Sequence, residues 1–118
     1  MINLNHKNLV VWKKSIELIK EIYRITESFP KSEVYGITNQ LRRASVSIAS
    51  NIAEGASRKS TIERKRFYQI SRSSLVEVDT QLEISIALNF LYMEKLGEVK
   101  KLMNEVFAML TTMINKTL

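Results

Sequence analysis

Cations dominate the chemistry this chain could carry out. Residues 31–72 hold nine basic and three acidic side chains, a net of +6. Residues 1–30 add +2 and residues 73–118 subtract 2, so the formal +6 of the 118-residue chain is concentrated in its middle third. Arg58, Lys59, Arg64, Lys65, Arg66 and Arg72 make up most of that excess. A clustered basic surface is the electrostatic footprint of polyanion binding. Arg64–Arg66 also follow closely on a helix start signalled by Ser60 and Glu63, where cations oppose the helix dipole. Side chains repelled by their own helix need another reason to be basic, and phosphate is one. The plain alternative is a solvated helix start with no ligand. The candidate phosphate contacts are Arg42, Arg43, Arg58, Lys59, Arg64, Lys65 and Arg66. Phe67 and Tyr68 are the aromatics beside the run, which does not support base-specific reading by stacking.

Other chemistries find little material. The chain has no cysteine and a single histidine, His6. Disulfides, thiolate catalysis and cysteine metal sites are excluded, and a histidine-dependent triad or a Glu-x-x-His di-iron site has no residues to build it. No glycine-rich phosphate loop is present. The expectation is a non-enzymatic protein without catalytic residues, metal or cofactor. Glu77 and Gln81 are the remaining polar candidates, because they fall in an apolar series with Phe67, Ile70, Ile84, Leu88 and Leu91. A buried carboxylate and amide need partners, at about 1–3 kcal/mol for an unsatisfied group. Asn51 and Arg43 are the candidates for that role. The expected result is a polar network fixing helix register, with a catalytic acid as the minor reading.

Helices must position these groups. Three glycines and one proline are too few for an all-β fold, whereas a few long helices need few turn residues. Breaks at Pro30–Gly36, Gly55–Ser60 and near Tyr92–Lys95 predict helices at about 6–28, 35–54, 61–92 and 95–116. Short connections favour antiparallel neighbours. The predicted fold is therefore an all-α, up-down-up-down four-helix bundle, one domain over 1–118. The second segment has small residues at Ala44, Ser45, Ser47, Ala49, Ser50 and Ala53 and no charge between Arg43 and Glu54, predicting a helix enclosed by others and ended by a left-handed Gly55.

The first segment has one apolar stripe at Leu9, Trp12, Ile16, Ile19 and Tyr23 and another at Val11, Leu18, Ile22, Ile25 and Phe29. The third pairs Tyr68, Leu75, Val78, Leu82, Asn89 and Tyr92 with the Glu77/Gln81 series, which also takes in Ser74. The fourth sets Val99, Leu102, Val106, Met109 and Met113 beside Met103, Phe107, Leu110 and Ile114. Paired stripes exceed what one small bundle can bury, which predicts a homo-oligomer. No apolar run reaches the ~18 residues of a membrane span, and the N-terminus lacks signal-peptide features, so a soluble cytoplasmic protein is expected.

The run from Leu41 to Arg58, LRRASVSIASNIAEGASR, with Phe67, Ile70–Leu75 and then EVDTQLEISIALNFL from Glu77 to Leu91, resembles the 23S rRNA intervening-sequence proteins, also called four-helix-bundle proteins. Ser50–Gly55 and Glu77, Thr80, Gln81 and Leu82 are its most specific parts. Ser73-Ser74-Leu75 stands where the family tends to have Gly-Ser-Leu, and Glu77-Val78-Asp79 where it has Glu-Leu-Glu. The resemblance implies a ring-like homopentamer, a bacterial gene often carried within an insertion in large-subunit ribosomal RNA genes, and no established enzymatic activity. A more distant branch is similar to accessory proteins of diversity-generating retroelements, which pair with a reverse transcriptase. Two functions follow as expectations: non-specific RNA or DNA binding through the basic surface, or an oligomeric adaptor for a protein partner such as a reverse transcriptase or a ribosome-associated factor.

Overall fold

The computed structural model of the chain describes residues 1–116. Four helices carry it: α1 (Val10–Thr26), α2 (Ile37–Ser57), α3 (Thr61–Ala87) and α4 (Gly97–Lys116), with no strand among the described residues. Short 3-10 turns at Asn5–Asn8, Lys31–Glu33 and Met93–Lys95 lead into α1, α2 and α4.

Local chemistry sets the boundaries, and several differ from those expected. Leu9 is extended and separates the Asn5–Asn8 turn from α1, so the helix begins at Val10 rather than near His6. At the start of α3 the Ser60/Glu63 spacing works as read, with Ser60 Oγ accepting from the Glu63 amide at 3.3 Å. That helix stops at Ala87, short of Tyr92. Asn89 takes a left-handed φ of 61°, and the Phe90 amide returns to the Ser85 carbonyl at 2.9 Å.

Gly55 does not end α2. It lies buried inside the helix, which continues to Ser57, and its φ is not positive. Its smallness serves packing instead. A Cβ at Gly55 would stand 2.6 Å from Tyr68 Cε1, so the tyrosine ring rests directly on the α2 backbone.

One core draws on all four helices, including Leu18 and Ile22 of α1, Leu41, Ile48 and Ile52 of α2, Leu75 and Val78 of α3, and Leu102, Val106 and Leu110 of α4. α2 and α4 each pack on α1 and on α3. Thus α2 is not enclosed: Val46 and Ser50 remain exposed. Its small side chains bring α3 close. Ser47 and Ser74 hydroxyls meet at 2.9 Å, and Ser71 Oγ donates to the Ile48 carbonyl at 2.8 Å. With Gly55 against Tyr68, partner numbers fall along α3 as they rise along α2.

The paired stripes divide unequally. On α1 the Val11, Leu18, Ile22, Ile25 line is buried, while Leu9, Trp12, Ile16 and Ile19 are half-buried and Tyr23 is exposed. On α4 the buried line is Val99, Leu102, Val106, Leu110 and Ile114, drawn from both expected stripes, with Met103, Met109 and Met113 at its edge.

Candidate nucleic-acid interface

The connection between α2 and α3 is only three residues, Arg58–Ser60, and it concentrates the candidate cations at one end of the helix pair. Arg58 is the best held. Its Nη2 donates to Glu54 Oε2 at 3.1 Å, one helical turn earlier, and its guanidinium lies 4.9 Å from the centre of the Phe67 ring. The Arg58 carbonyl in turn accepts from Arg64 Nη1 at 3.2 Å. Two arginines are thereby spent in part on shaping the turn. Lys59, Lys65 and Arg66 have no ion-pair partner among the described residues; Lys59 and Arg66 are exposed and Lys65 half-buried. The charge is felt below the surface as well. Burial pushes the Tyr68 hydroxyl above its ordinary range, and the nearby Arg64 charge opposes that rise. Glu63, exposed on the first turn of α3, is a second carboxylate at this end beside Glu54.

Arg42 and Arg43 belong elsewhere. Arg43 stands fifteen positions before Arg58 along α2 and its C-cap, which is about 22 Å at the ~1.5 Å rise per residue of an α-helix. Arg42 is committed to α1, with Nε donating to Thr26 Oγ1 at 2.9 Å and its guanidinium 4.5 Å from the Tyr23 ring centre. Arg72, also part of the basic third, is likewise occupied, donating to Thr111 Oγ1 of α4 at 3.2 Å. The sequence read one basic region. The structure divides it into five cations at the turn and separate arginines along the helices. The Glu54 and Phe67 braces were missed, although the four-residue spacing of Glu54 and Arg58 signals the first.

The Glu77/Gln81 seam also differs from expectation. Glu77 is exposed, and Asn51 bonds to Ser47 rather than to either residue, with Nδ2 2.8 Å from the Ser47 carbonyl and 3.0 Å from its hydroxyl. The buried face of α3 is the Tyr68, Leu75, Val78, Leu82 line, which turns Ile70, Glu77, Ile84 and Leu88 of the second stripe outward while Leu91, beyond the helix end, is buried. Gln81, half-buried, keeps one trace of the expected network: its Oε1 is shut from solvent with no hydrogen-bond partner. Glu77, Gln81 and Arg43 do come together, as walls of an open polar groove between α2 and α3.

His6 is buried edge-on against Trp12, with ring centres 5.2 Å apart. Among the described residues no group of three His, Cys, Asp or Glu side chains is placed to hold a metal ion. None of their helices is long and apolar enough to cross a membrane.

The family model of the 23S rRNA-intervening sequence protein matches residues 7–112. The chain belongs to that family. The match runs from the turn before α1 into the last part of α4 and takes in the whole basic connection. Among solved structures, a protein of unknown function from the S23 ribosomal protein family of Bacteroides thetaiotaomicron VPI-5482 is similar at a TM-score of 0.78. It covers 89% of this chain and 98% of its own at 22% identity, a likeness of fold alone. No curated protein matches the chain. The four-helix arrangement of this intervening-sequence protein is thus shared with a structure whose sequence has diverged widely.

Proposed function

We propose that this intervening-sequence protein works by binding rather than catalysis, gripping RNA or DNA phosphates non-specifically with the α2–α3 end of an up-down-up-down bundle that assembles as a homo-oligomer. The observation that carries the reading is the division of labour at the turn: Arg58 and Arg64 are held in place, while Lys59, Lys65 and Arg66 are left without ion-pair partners. An array of such ends in an oligomer multiplies weak contacts through effective concentration. The homopentamer implied by the family resemblance would present five. A protein-adaptor role is the second reading, favoured by exposed Val34, Tyr35, Leu88, Tyr92 and Met93 in or beside the α1–α2 and α3–α4 connections.

Anisotropy titrations with a ribosomal RNA fragment and an unrelated duplex test the first reading. Affinity for both should fall steeply with salt, by a log–log slope near −0.9 per duplex phosphate neutralised. Changing Lys59, Lys65 and Arg66 together to Gln should flatten that slope by about 2–3 units on the duplex and leave the helical melt nearly unchanged. Undetectable binding to both at ~150 mM salt, or an unaltered slope in the triple variant, transfers the assignment to the adaptor reading.

A further inference from the structure

Tyr35 is the most exposed aromatic side chain among the described residues, at 92%. Its ring meets no other ring and no guanidinium, so nothing in the fold uses the large face it offers. It stands on the wall of the groove between α2 and α3, together with Asn39, Gln40, Arg43 and Ser47 of α2 and Glu77 of α3. Arg43 and Glu77 are both exposed, and neither has an ion-pair partner among the described residues. The groove holds about 540 Å³, within the ~300–1,000 Å³ usual for small-ligand sites. One aromatic face, two amides, a cation and an anion thus line a single open space.

The same helix pair leads from this groove to the basic turn, about 22 Å away along α2. Between the two, α2 has no carboxylate before Glu54, which is paired with Arg58, and α3 has none between Glu63 and Glu77. A phosphate chain laid along that path meets no anion until Glu77. Phosphate alone does not suit the groove, since Glu77 repels it. A nucleobase does: its face stacks on an aromatic ring, its N–H groups suit a carboxylate, and its ring nitrogens and carbonyls accept from amides. An acidic or a basic peptide matches one wall and opposes the other. We infer that the groove takes an unpaired base of a single-stranded nucleic acid, stacked on Tyr35 with an N–H edge toward Glu77, while Arg43 faces the adjoining phosphate. This deepens the phosphate-binding reading above and rests on it. It makes a single strand the preferred ligand, because bases paired in a duplex offer a side groove neither face nor free edge. At the ~3.4 Å per nucleotide of a stacked strand, the path from groove to turn takes about six or seven nucleotides.

Anisotropy titrations of the full chain test this with a labelled RNA dodecamer of alternating A and C, which cannot pair with itself, and with the same strand annealed to its complement. At ~150 mM salt the parent should bind the single strand more tightly than the duplex. Y35A should weaken single-strand binding by about tenfold or more and change duplex binding by less than about twofold, with its circular dichroism unaltered. Y35F, which keeps the ring, should bind as the parent does. E77Q should weaken single-strand binding by about threefold or more, although it removes a negative charge. Undetectable binding of both RNAs overturns this inference and the phosphate reading together and leaves the groove to a protein partner. A duplex bound as tightly as the single strand, or single-strand binding indifferent to Y35A, overturns the base subsite alone. So does a Y35A loss shared equally by the duplex. Tighter single-strand binding by E77Q overturns the contact of Glu77 with a base and marks the groove as a phosphate track.

Discussion

α2 meets α3 through serines and a glycine, whereas α1 and α4 meet with larger side chains and an ion pair. On the first contact Ser47 faces Ser74, Ser71 reaches the Ile48 carbonyl, and the Tyr68 ring fills the space that a Gly55 Cβ would occupy. At the second, α1 and α4 pack with the core side chains Val11, Leu18, Val106 and Leu110 among those they bury, and Lys14 Nζ lies 2.9 Å from Glu105 Oε2. Small groups permit close approach and then leave no slack. Large aliphatic groups fill a wider gap, and their loss leaves a void. The two contacts should therefore fail in opposite ways, one to added volume and the other to removed volume.

Removing volume should have the largest effect. Leu18 is fully buried, and Leu18→Ala should cost about 2–5 kcal/mol in urea unfolding. A loss under ~1 kcal/mol would mean that the α1 contacts collapse around the gap, and the contrast with α2–α3 would fail. Adding volume comes next. In an open helix Gly→Ala stabilises by about 0.5–1 kcal/mol; here Gly55→Ala should reverse the sign and destabilise by about 1–3 kcal/mol. Gly55→Ala combined with Tyr68→Leu should recover part of that loss. A Gly55→Ala variant as stable as the parent would show that α2 and α3 part freely.

The smallest effect belongs to the ion pair. Its hydrogen bond to Lys14 holds the Glu105 carboxyl below the usual carboxylate range, and the same bond raises Lys14. A carboxyl lowered by folding stabilises above its unfolded pKa and loses that contribution as pH falls through the depressed value. A lysine raised by folding stabilises below its unfolded pKa and loses its share as pH climbs through the elevated one. The melting-temperature margin of the parent over Glu105→Gln should be small at neutral pH and vanish toward acid. A margin independent of pH would show that the pair contributes by packing alone.

Much of this contrast could be read in the sequence, though not its use. Four helices follow from scarce glycine and proline and from the apolar spacing, and Ser60 caps α3 as its spacing with Glu63 requires. The small residues of α2 signalled close packing, but composition does not say on how many sides, and α2 proved open. Gly55 was read through its common role after a helix; its actual role depends on Tyr68, thirteen residues away, which no local pattern reveals. Glu77 and Gln81 kept helical spacing with apolar neighbours, yet two stripes on one helix do not say which faces inward. At the turn, the density of cations was plain. Which of them are held by Glu54, by Phe67 or by a backbone carbonyl is a three-dimensional fact.

The buried serines add a lesson about address rather than strength. Ser15, Ser45, Ser71 and Ser85 are all fully buried. Three of them donate within their own helices, Ser15 to the Trp12 carbonyl, Ser45 to Arg42 and Ser85 to Gln81. A hydroxyl that answers its own backbone carries no information about its neighbour, and any helix of suitable shape could lie against it. Ser71 alone of the four names a partner, the Ile48 carbonyl at one height on α2. Among the fully buried serines, it is thus the α2–α3 contact that carries a polar label which shape alone cannot forge.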